Sequence, residues 1–466
     1  MTKSISRQPG VRSTLTMAPQ STTPLAERMA AGKALRSTVP RSAHAGWSPA
    51  PDRPDPVALL QAEDTDRLAD LVPLRYARML ESPFSFLRGA AAIMARDLAH
   101  TPTTSLTVQV CGDAHLANFG AYATPERNLD FDVNDFDETL AGPWEWDLKR
   151  LTASVVVAGR SNGIAAGACA EAAAAAVRIY RERMRSFAKL GYTDVWYARV
   201  DAATVIASLP RQEARVARKR FAQARGHDNL QELRKLTTVT GGRVHIADDP
   251  PLVTHVSDER VGNRVPELVH AYRSSLPDDR RHLLDLYTLV DFARKVVGVG
   301  SVGTRCYIAL LVGQGTDDPL FLQVKEAGPS VLEHYVGRSR QLRPGKRVVQ
   351  GQRLMQAASD IFLGWGDVDG LSFYIRQLRD MKGSIDIAAL TSSQLVAYAE
   401  VCGWALARAH ARSGDAAQIA GYLGTGTALD QAITAFAQAY ADQTERDHAA
   451  LVTAVEQGRV VAQVDA

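Results

Sequence analysis

Apolar positions recur at helical spacing over residues 57–71 and again over 85–99. In the second stretch Phe86, Leu87, Ile93, Met94 and Leu98 leave so little polar surface that the helix is expected to be buried. Residues 105–111 (SLTVQVC) read as a strand, followed by a loop and a second strand near 129–135. From about 147 to 240 the spacing is helical and rich in Ala, including the run 170–176 broken only by Glu171. Ala is the best helix former, so this stretch reads as packing material. Between 236 and 320 short β-branched runs appear (LTTVTGGRVHIA, TRCYIALLVG, LFLQVKEA), separated by Gly and Asp turns, with a helix near 279–295. That texture predicts a smaller lobe with an antiparallel sheet. Helices return at about 391–413 and 428–457. The expected class is α+β, and no internal repeat is visible.

Composition changes this picture mainly by exclusion. The 54 Lys and Arg against 51 Asp and Glu give a formal net charge of +3, too near balance to suggest a nucleic-acid coat. Cys111, Cys169, Cys306 and Cys402 form no CxxC pair, which argues against a disulfide scaffold or zinc ribbon and for a reducing, cytoplasmic setting. No apolar run approaches the roughly 20 residues that span a bilayer. Residues 1–54 are rich in Ser, Thr, Pro, Arg and Ala, with no acid before Glu27. They read as a disordered tail too polar to fold, an organelle transit peptide being the other reading.

The densest chemistry is the loop Cys111-Gly112-Asp113-Ala114-His115-Leu116-Ala117-Asn118, followed by Asp130-Phe131-Asp132-Val133-Asn134-Asp135-Phe136-Asp137-Glu138. Alternating carboxylates on one strand face repel unless a cation or hydrogen-bond donors compensate. Asp and Asn oxygens are hard ligands that suit Mg²⁺ holding a polyphosphate. In that use Asp113 orients or accepts the proton of an attacking hydroxyl, while Asn118 and Asp135 hold the metal. Taken singly, each of these residues is an ordinary turn or capping residue; it is their combination that points to chemistry.

The loop, with Asp135-Phe136-Asp137 and the later Gly142-Pro143-Trp144-Glu145-Trp146-Asp147-Leu148, resembles the catalytic and metal-binding segments of aminoglycoside- and choline-kinase-like phosphotransferases. The resemblance implies Asp113 as catalytic base and Asn118 and Asp135 as metal ligands; Asp137 is expected as a further ligand, with His115 and Asp132 as additional candidates. Cys111 stands where that superfamily usually has His. The wording of the chain over about 55–450 also resembles an uncharacterised bacterial family, the domain of unknown function 2252. Arg75-Tyr76, Ser82-Pro83-Phe84, Trp144–Arg150, Val324-Lys325-Glu326-Ala327 and Leu406–Arg412 carry that likeness.

A kinase-like site needs a cation on the nucleotide phosphates, normally a strand Lys after a Gly-rich hairpin. None of the ten lysines lies between Lys33 and Lys149, so nothing upstream of Asp113 supplies it. Downstream, Gly298, Gly300 and Gly303 lie in a loop that leads into strand 306–312, a Gly/Asp turn and a strand ending at Lys325. A helical stretch is expected before the glycines and β-branched alternation follows them, which disfavours a dinucleotide fold. Glu333 or Glu326 is the expected carboxylate partner of Lys325, residues 373–382 a hinge strand, and His410 a substitute for the His missing at 111 or a buried structural His.

The expected whole is a two-lobed, protein-kinase-like fold in circularly permuted order: a disordered tail 1–54, an α-rich catalytic lobe 55–240, a β-rich nucleotide lobe 241–385, and helices 386–466 packing on the first lobe. Its expected activity is ATP- and Mg²⁺-dependent phosphoryl transfer to an unknown small-molecule or protein hydroxyl, without nucleic acid. A non-catalytic nucleotide-binding module is the alternative. A nucleotidyltransferase and a metal-dependent phosphohydrolase rank lower, the last because no Gly-Asn-His segment follows.

Overall fold

The computed structural model describes residues 23–463 apart from 210, 226–232, 234, 242, 256–263, 316–317 and 379–384. The class is α+β. The main core is helical: Trp144–Ser161, Ala166–Phe187, Ser392–Ser413 and Ala428–Glu456 pack on one another. The Ala-rich run serves close approach, since a Cβ on Gly403 would collide with the Ala176 carbonyl, and Ala172, Ala173, Ala175 and Ala176 are all buried. Helices from before and after the β-rich region thus share a single hydrophobic core.

Four short strands contribute side chains to this same core. β1 (Thr107–Val110) pairs antiparallel with β4 (Leu140–Pro143), and β2 (Phe119–Ala123) with β3 (Leu129–Val133). Their connections bring the 111–118 loop beside the 134–138 turn, where the Asn134 amide donates to the Asn118 carbonyl at 2.8 Å. Gly112 is required here: its φ is +83°, and a Cβ would collide with the Glu138 backbone.

A hairpin of β5 (Thr237–Thr240) and β6 (Arg243–Ile246) precedes the larger sheet. That sheet contains β7 (Val253–His255), β8 (Thr288–Lys295), β9 (Cys306–Val312), β10 (Pro319–Glu326), β11 (Gly364–Val368) and β12 (Leu371–Gln377). Its order is β11-β12-β10-β9-β8-β7, antiparallel throughout. Alternation along β10 divides its side chains. Leu320, Leu322 and Val324 pack with Leu268 and Tyr272 of the helix Val265–Ser275 and with Leu276 just after it, whereas Phe321 and Lys325 take the other face.

Three expectations are corrected. The helix expected near 279–295 ends at Leu284, and the chain continues as β8, so a strand rather than a helix precedes the glycine loop. Leu283, Leu286, Leu289 and Phe292 fit helical spacing locally, but pairing with β9 and the stacking of Phe292 on Tyr307 at 4.9 Å decide for strand. The buried stretch 85–99 is two helices, Pro83–Gly89 and Ala91–Ala99. Residues 25–54 are not a loose tail. A helix, Leu25–Ala34, docks on Ala416–Leu423 through two glycines, Gly32 and Gly421, at each of which a Cβ would strike the facing backbone. The segment is held further by Arg28–Asp415 at 2.7 Å, by Arg36 and Arg41 on the carbonyls of 421–423, and by Arg53 on both Asp97 and Asp447. Glycine contacts and arginine–carbonyl bonds leave no hydrophobic periodicity to read. Residues 1–22 of that expected tail and 379–382 of the expected hinge strand lie outside the described residues; 371–377 form β12.

Candidate active site

The loop after β1 is anchored from beneath by one carboxylate. Asp147, in the first turn of the helix Trp144–Ser161, accepts from the Cys111 amide at 2.7 Å and the Gly112 amide at 2.9 Å. Asp147 Oδ2 also lies 3.1 Å from His410 Nε2, and His410 Nδ1 lies 2.9 Å from the Tyr180 hydroxyl. His410 is fully buried. His410, on the helix Ser392–Ser413, is thus a buried, hydrogen-bonded histidine that touches the loop's anchor, Asp147. The Cys111 thiol itself donates to the Asp135 carbonyl at 3.2 Å and ties loop to hairpin.

Asp113, projecting from this braced loop, has Oδ1 held by Arg150 at 2.5 Å. Its Oδ2 lies 3.5 Å from His115 Nε2 and 3.4 Å from Asn118 Nδ2, which also donates to the Asp113 carbonyl at 2.7 Å. Burial pushes the Asp113 carboxyl up to about 6; Arg150 draws it down, and Asp135 and Asp137 add to the rise. Burial, then Arg150 and Arg88, drive the His115 imidazole well below its usual range, so it is neutral.

The hairpin acids converge on Lys325. Its Nζ lies 2.5 Å from Asp137 and 3.3 Å from Asp135, although its side chain is only 2% exposed. Burial opposes its charge, but the two carboxylates outweigh burial and keep it protonated. Burial likewise pushes Asp135 up, and Lys325 with Arg376 more than reverses this, so Asp135 is held below the ordinary carboxylate range. Asp137 moves the other way, raised by burial and by Asp135. It also accepts from the Tyr374 hydroxyl at 2.7 Å and from Ser301 Oγ at 3.4 Å.

Ser301 belongs to the glycine loop, which joins β8 to β9 and so reaches the acidic hairpin. Gly298 and Gly303 have φ of +69° and +90°. The loop is braced through its carbonyls: Arg78 donates to Gly298, Arg67 to Gly300 and Val302, and the Leu68 amide to Gly303. At Gly300 a Cβ would stand 2.9 Å from the Arg88 carbonyl. Gly298, Ser301, Lys325, Asn134, Asp135 and Arg376 all line one cavity of about 1250 Å³.

Of the other predicted site residues, Asp113, His115, Asn118, Asp137, Gly300 and Gly303 are not among the residues that line it, and Glu333 and Asp132 stand apart with partners of their own. Glu333 lies on the short helix Glu333–Val336 and accepts from the Ser330 amide; the ion pairs of Lys325 are with Asp135 and Asp137. Glu326, the other expected partner, pairs with Arg305 at 3.4 Å. Asp132 is buried and bonded to Arg408 at 2.5 Å and to the Ala357 amide, so hydrogen-bond donors answer its charge and it braces the core.

Sequence reasoning missed Arg150, Arg376 and Tyr374. Arg150 had a signal, because it follows Asp147 by three residues and helical spacing turns both toward the loop. Arg376 and Tyr374 on β12 had none.

Among the described residues no group of three or more His, Cys, Asp or Glu is arranged to hold a metal. Mg²⁺ on a polyphosphate asks for less, one or two protein oxygens beside phosphate and water. Asp135 and Asp137 retain side-chain exposures of 30% and 29% beside the cavity. Asn118 spends Nδ2 on Asp113, so Oδ1 is the atom a cation would meet. This donor set fits such an ion.

No curated protein and no solved structure matches the chain. Its residues 67–454, which contain the loop, the hairpin, the glycine loop and the lysine strand, match one family throughout. The chain belongs to the family described as an uncharacterised protein conserved in bacteria, the domain of unknown function 2252.

Proposed function

We propose that the chain is an ATP- and Mg²⁺-dependent phosphotransferase of kinase-like, circularly permuted architecture, acting on a hydroxyl acceptor. The observation that carries this reading is the meeting of Lys325 with Asp135 and Asp137 beside the glycine loop. The sequence strand, glycine loop, strand, then lysine on the third strand is the arrangement kinases use over nucleotide phosphates. Arg67 and Arg78 take the loop's carbonyls, the backbone groups that would repel a phosphate. Helices on both sides of the sheet in sequence share one core, as a permuted order requires.

In this reading Lys325 and the glycine loop clamp the nucleotide. Asn118 and Asp135, with Asp137, would hold Mg²⁺, which neutralises charge on the phosphates when bound. Asp113 Oδ2, the oxygen not held by Arg150, orients the acceptor hydroxyl and takes its proton as the acceptor oxygen bonds to phosphorus and ADP leaves. Arg150 fixes that carboxylate and keeps its charge in a buried setting. The chain's contribution is positioning and electrostatic complementarity.

A binding module without transfer is the second reading, favoured by the tight Arg150–Asp113 pair and by Cys111 in place of His. Nucleotide binding and product analysis on the purified chain separate the readings. Lys325→Met is expected to abolish ATP binding, and Asp113→Asn to keep binding while losing ADP formation. AMP transfer to the acceptor would show nucleotidyl chemistry. Undiminished ATP affinity in Lys325→Met would sink the assignment.

A further inference from the structure

The cavity that Asp135 and the glycine loop line is also lined by further basic side chains. Lys219, Lys235, Lys295 and Lys325 line it, four of the ten lysines in the chain, together with Arg127 and Arg220. Against them stand Asp135, Glu213 and Asp360. Lys325 belongs to the phosphate end. Lys219 and Arg220 come from the helix Arg211–Arg225, which packs on β2 and on the helix Ser392–Ser413, and Arg127 stands in the turn between β2 and β3. Glu213, Val216, Ala217 and Arg220 follow helical spacing and all line the cavity, so this face of the helix is turned inward. At about 1250 Å³ the cavity also exceeds the roughly 300–1,000 Å³ of a single-ligand pocket, leaving room for an acceptor beside a nucleotide.

Resting on the phosphotransferase reading, we propose that the acceptor is itself an anion: a small hydroxyl compound carrying a phosphate or carboxylate group, bound by Lys219 and Arg220. A neutral acceptor gives such a wall nothing to pair with, while an anionic one makes charge-assisted hydrogen bonds there and keeps its hydroxyl for the hairpin end.

The test uses the full chain with Mg²⁺ and ATP, and three probes on one carbon skeleton: glycerol, glycerate and glycerol 3-phosphate. Calorimetric binding to the ATP-loaded chain and ADP formation are both read. At least one anion is expected to bind at least about tenfold more tightly than glycerol, the better of the two identifying the group. Lys219→Gln/Arg220→Gln is expected to lose about tenfold for that anion while ATP affinity stays at the wild-type value. Lys219 is exposed and Arg220 half-buried, so the double variant is expected to fold, and its thermal midpoint checks this. Equal binding of all three probes, binding by neither anion, or an anion preference that survives the double variant overturns the proposal. A chain that does not bind ATP removes the phosphotransferase reading instead; anion binding lost only in the double variant would then still establish the basic wall as an anion site.

Discussion

His410 and Asp147, 263 residues apart in the chain, meet at 3.1 Å beneath the loop that presents Asp113. Asp147 receives two backbone amides of that loop in the same buried place. The conformation at 111–113 therefore depends on a helix contributed by the last part of the chain. Asp147→Ala strands the amides of Cys111 and Gly112 and leaves His410 without its carboxylate. We expect a loss of about 3 kcal/mol in urea unfolding, because buried donors left unmade cost more than the mean hydrogen bond. A loss under about 1 kcal/mol would show that the loop holds itself.

The pH dependence of transfer follows from Asp113. Its carboxyl is raised by burial to about 6, and the proposed role needs it ionised. ADP formation is therefore expected to rise with pH through about 6 and then level off. Arg150 draws this group down, so Arg150→Gln should move the rising limb to higher pH, while Arg150→Lys keeps a charge and moves it less. A limb that stays in place or shifts downward in Arg150→Gln assigns the titration to another group.

Lys325 answers two carboxylates, and its removal acts on both. Lys325→Met takes away the charge that holds Asp135 below its usual range, leaving two like charges in a buried site. A carboxyl held low in the folded state contributes stability that is present above its unfolded value and lost as pH falls through the folded one. The wild type therefore has this contribution at pH 7, and Lys325→Met loses it there. We expect a destabilisation of about 3 kcal/mol at pH 7 that becomes smaller toward pH 4, where the stranded carboxylates protonate. Lys325→Met/Asp137→Asn should recover part of the loss. Chemical unfolding at the two pH values decides, and a loss independent of pH would deny the coupling.

The parts of the site legible in sequence were those with local spacing. Asp113, Asn118, Asp135 and Asp137 lie within one loop and one hairpin, where strand pairing brings them together. Lys325 stood out through the scarcity of lysine and the glycines before it. What stayed hidden was held at long range. His410 reaches the loop only through Asp147, Arg408 meets Asp132 across 276 residues, and Arg376 meets the Asn134 carbonyl across 242. Nothing in local periodicity separates these arginines from surface ones. The same limit made β8 look helical, since its partner strand, not its own pattern, decides its state.

The segment 25–54 offers the sharpest test of how the helical part is held. Arg53 bonds to Asp97 at 2.8 Å and to Asp447 at 2.6 Å, with side-chain exposures of 8%, 3% and 5%. Tyr440 adds a hydroxyl on Asp97, and Trp47 packs edge-on against Tyr440 at 5.0 Å. Removing one partner of a buried ion pair costs about 3–5 kcal/mol, because the remaining charge is uncompensated. Arg53→Met leaves two such charges, so its cost is expected at the upper end of that range. Burial already raises Asp97, with Arg53 drawing it back, so loss of the guanidinium raises it further. A carboxyl raised in the folded state destabilises fully above that folded value, and the penalty is relieved as pH falls through it toward the unfolded value. Thermal unfolding should thus show a large drop in midpoint at pH 8 and a clearly smaller one at pH 5. Equal drops at both values would mean that Arg53 acts through packing of its stem and not through its charge, and a small drop at both would make the segment a dispensable covering.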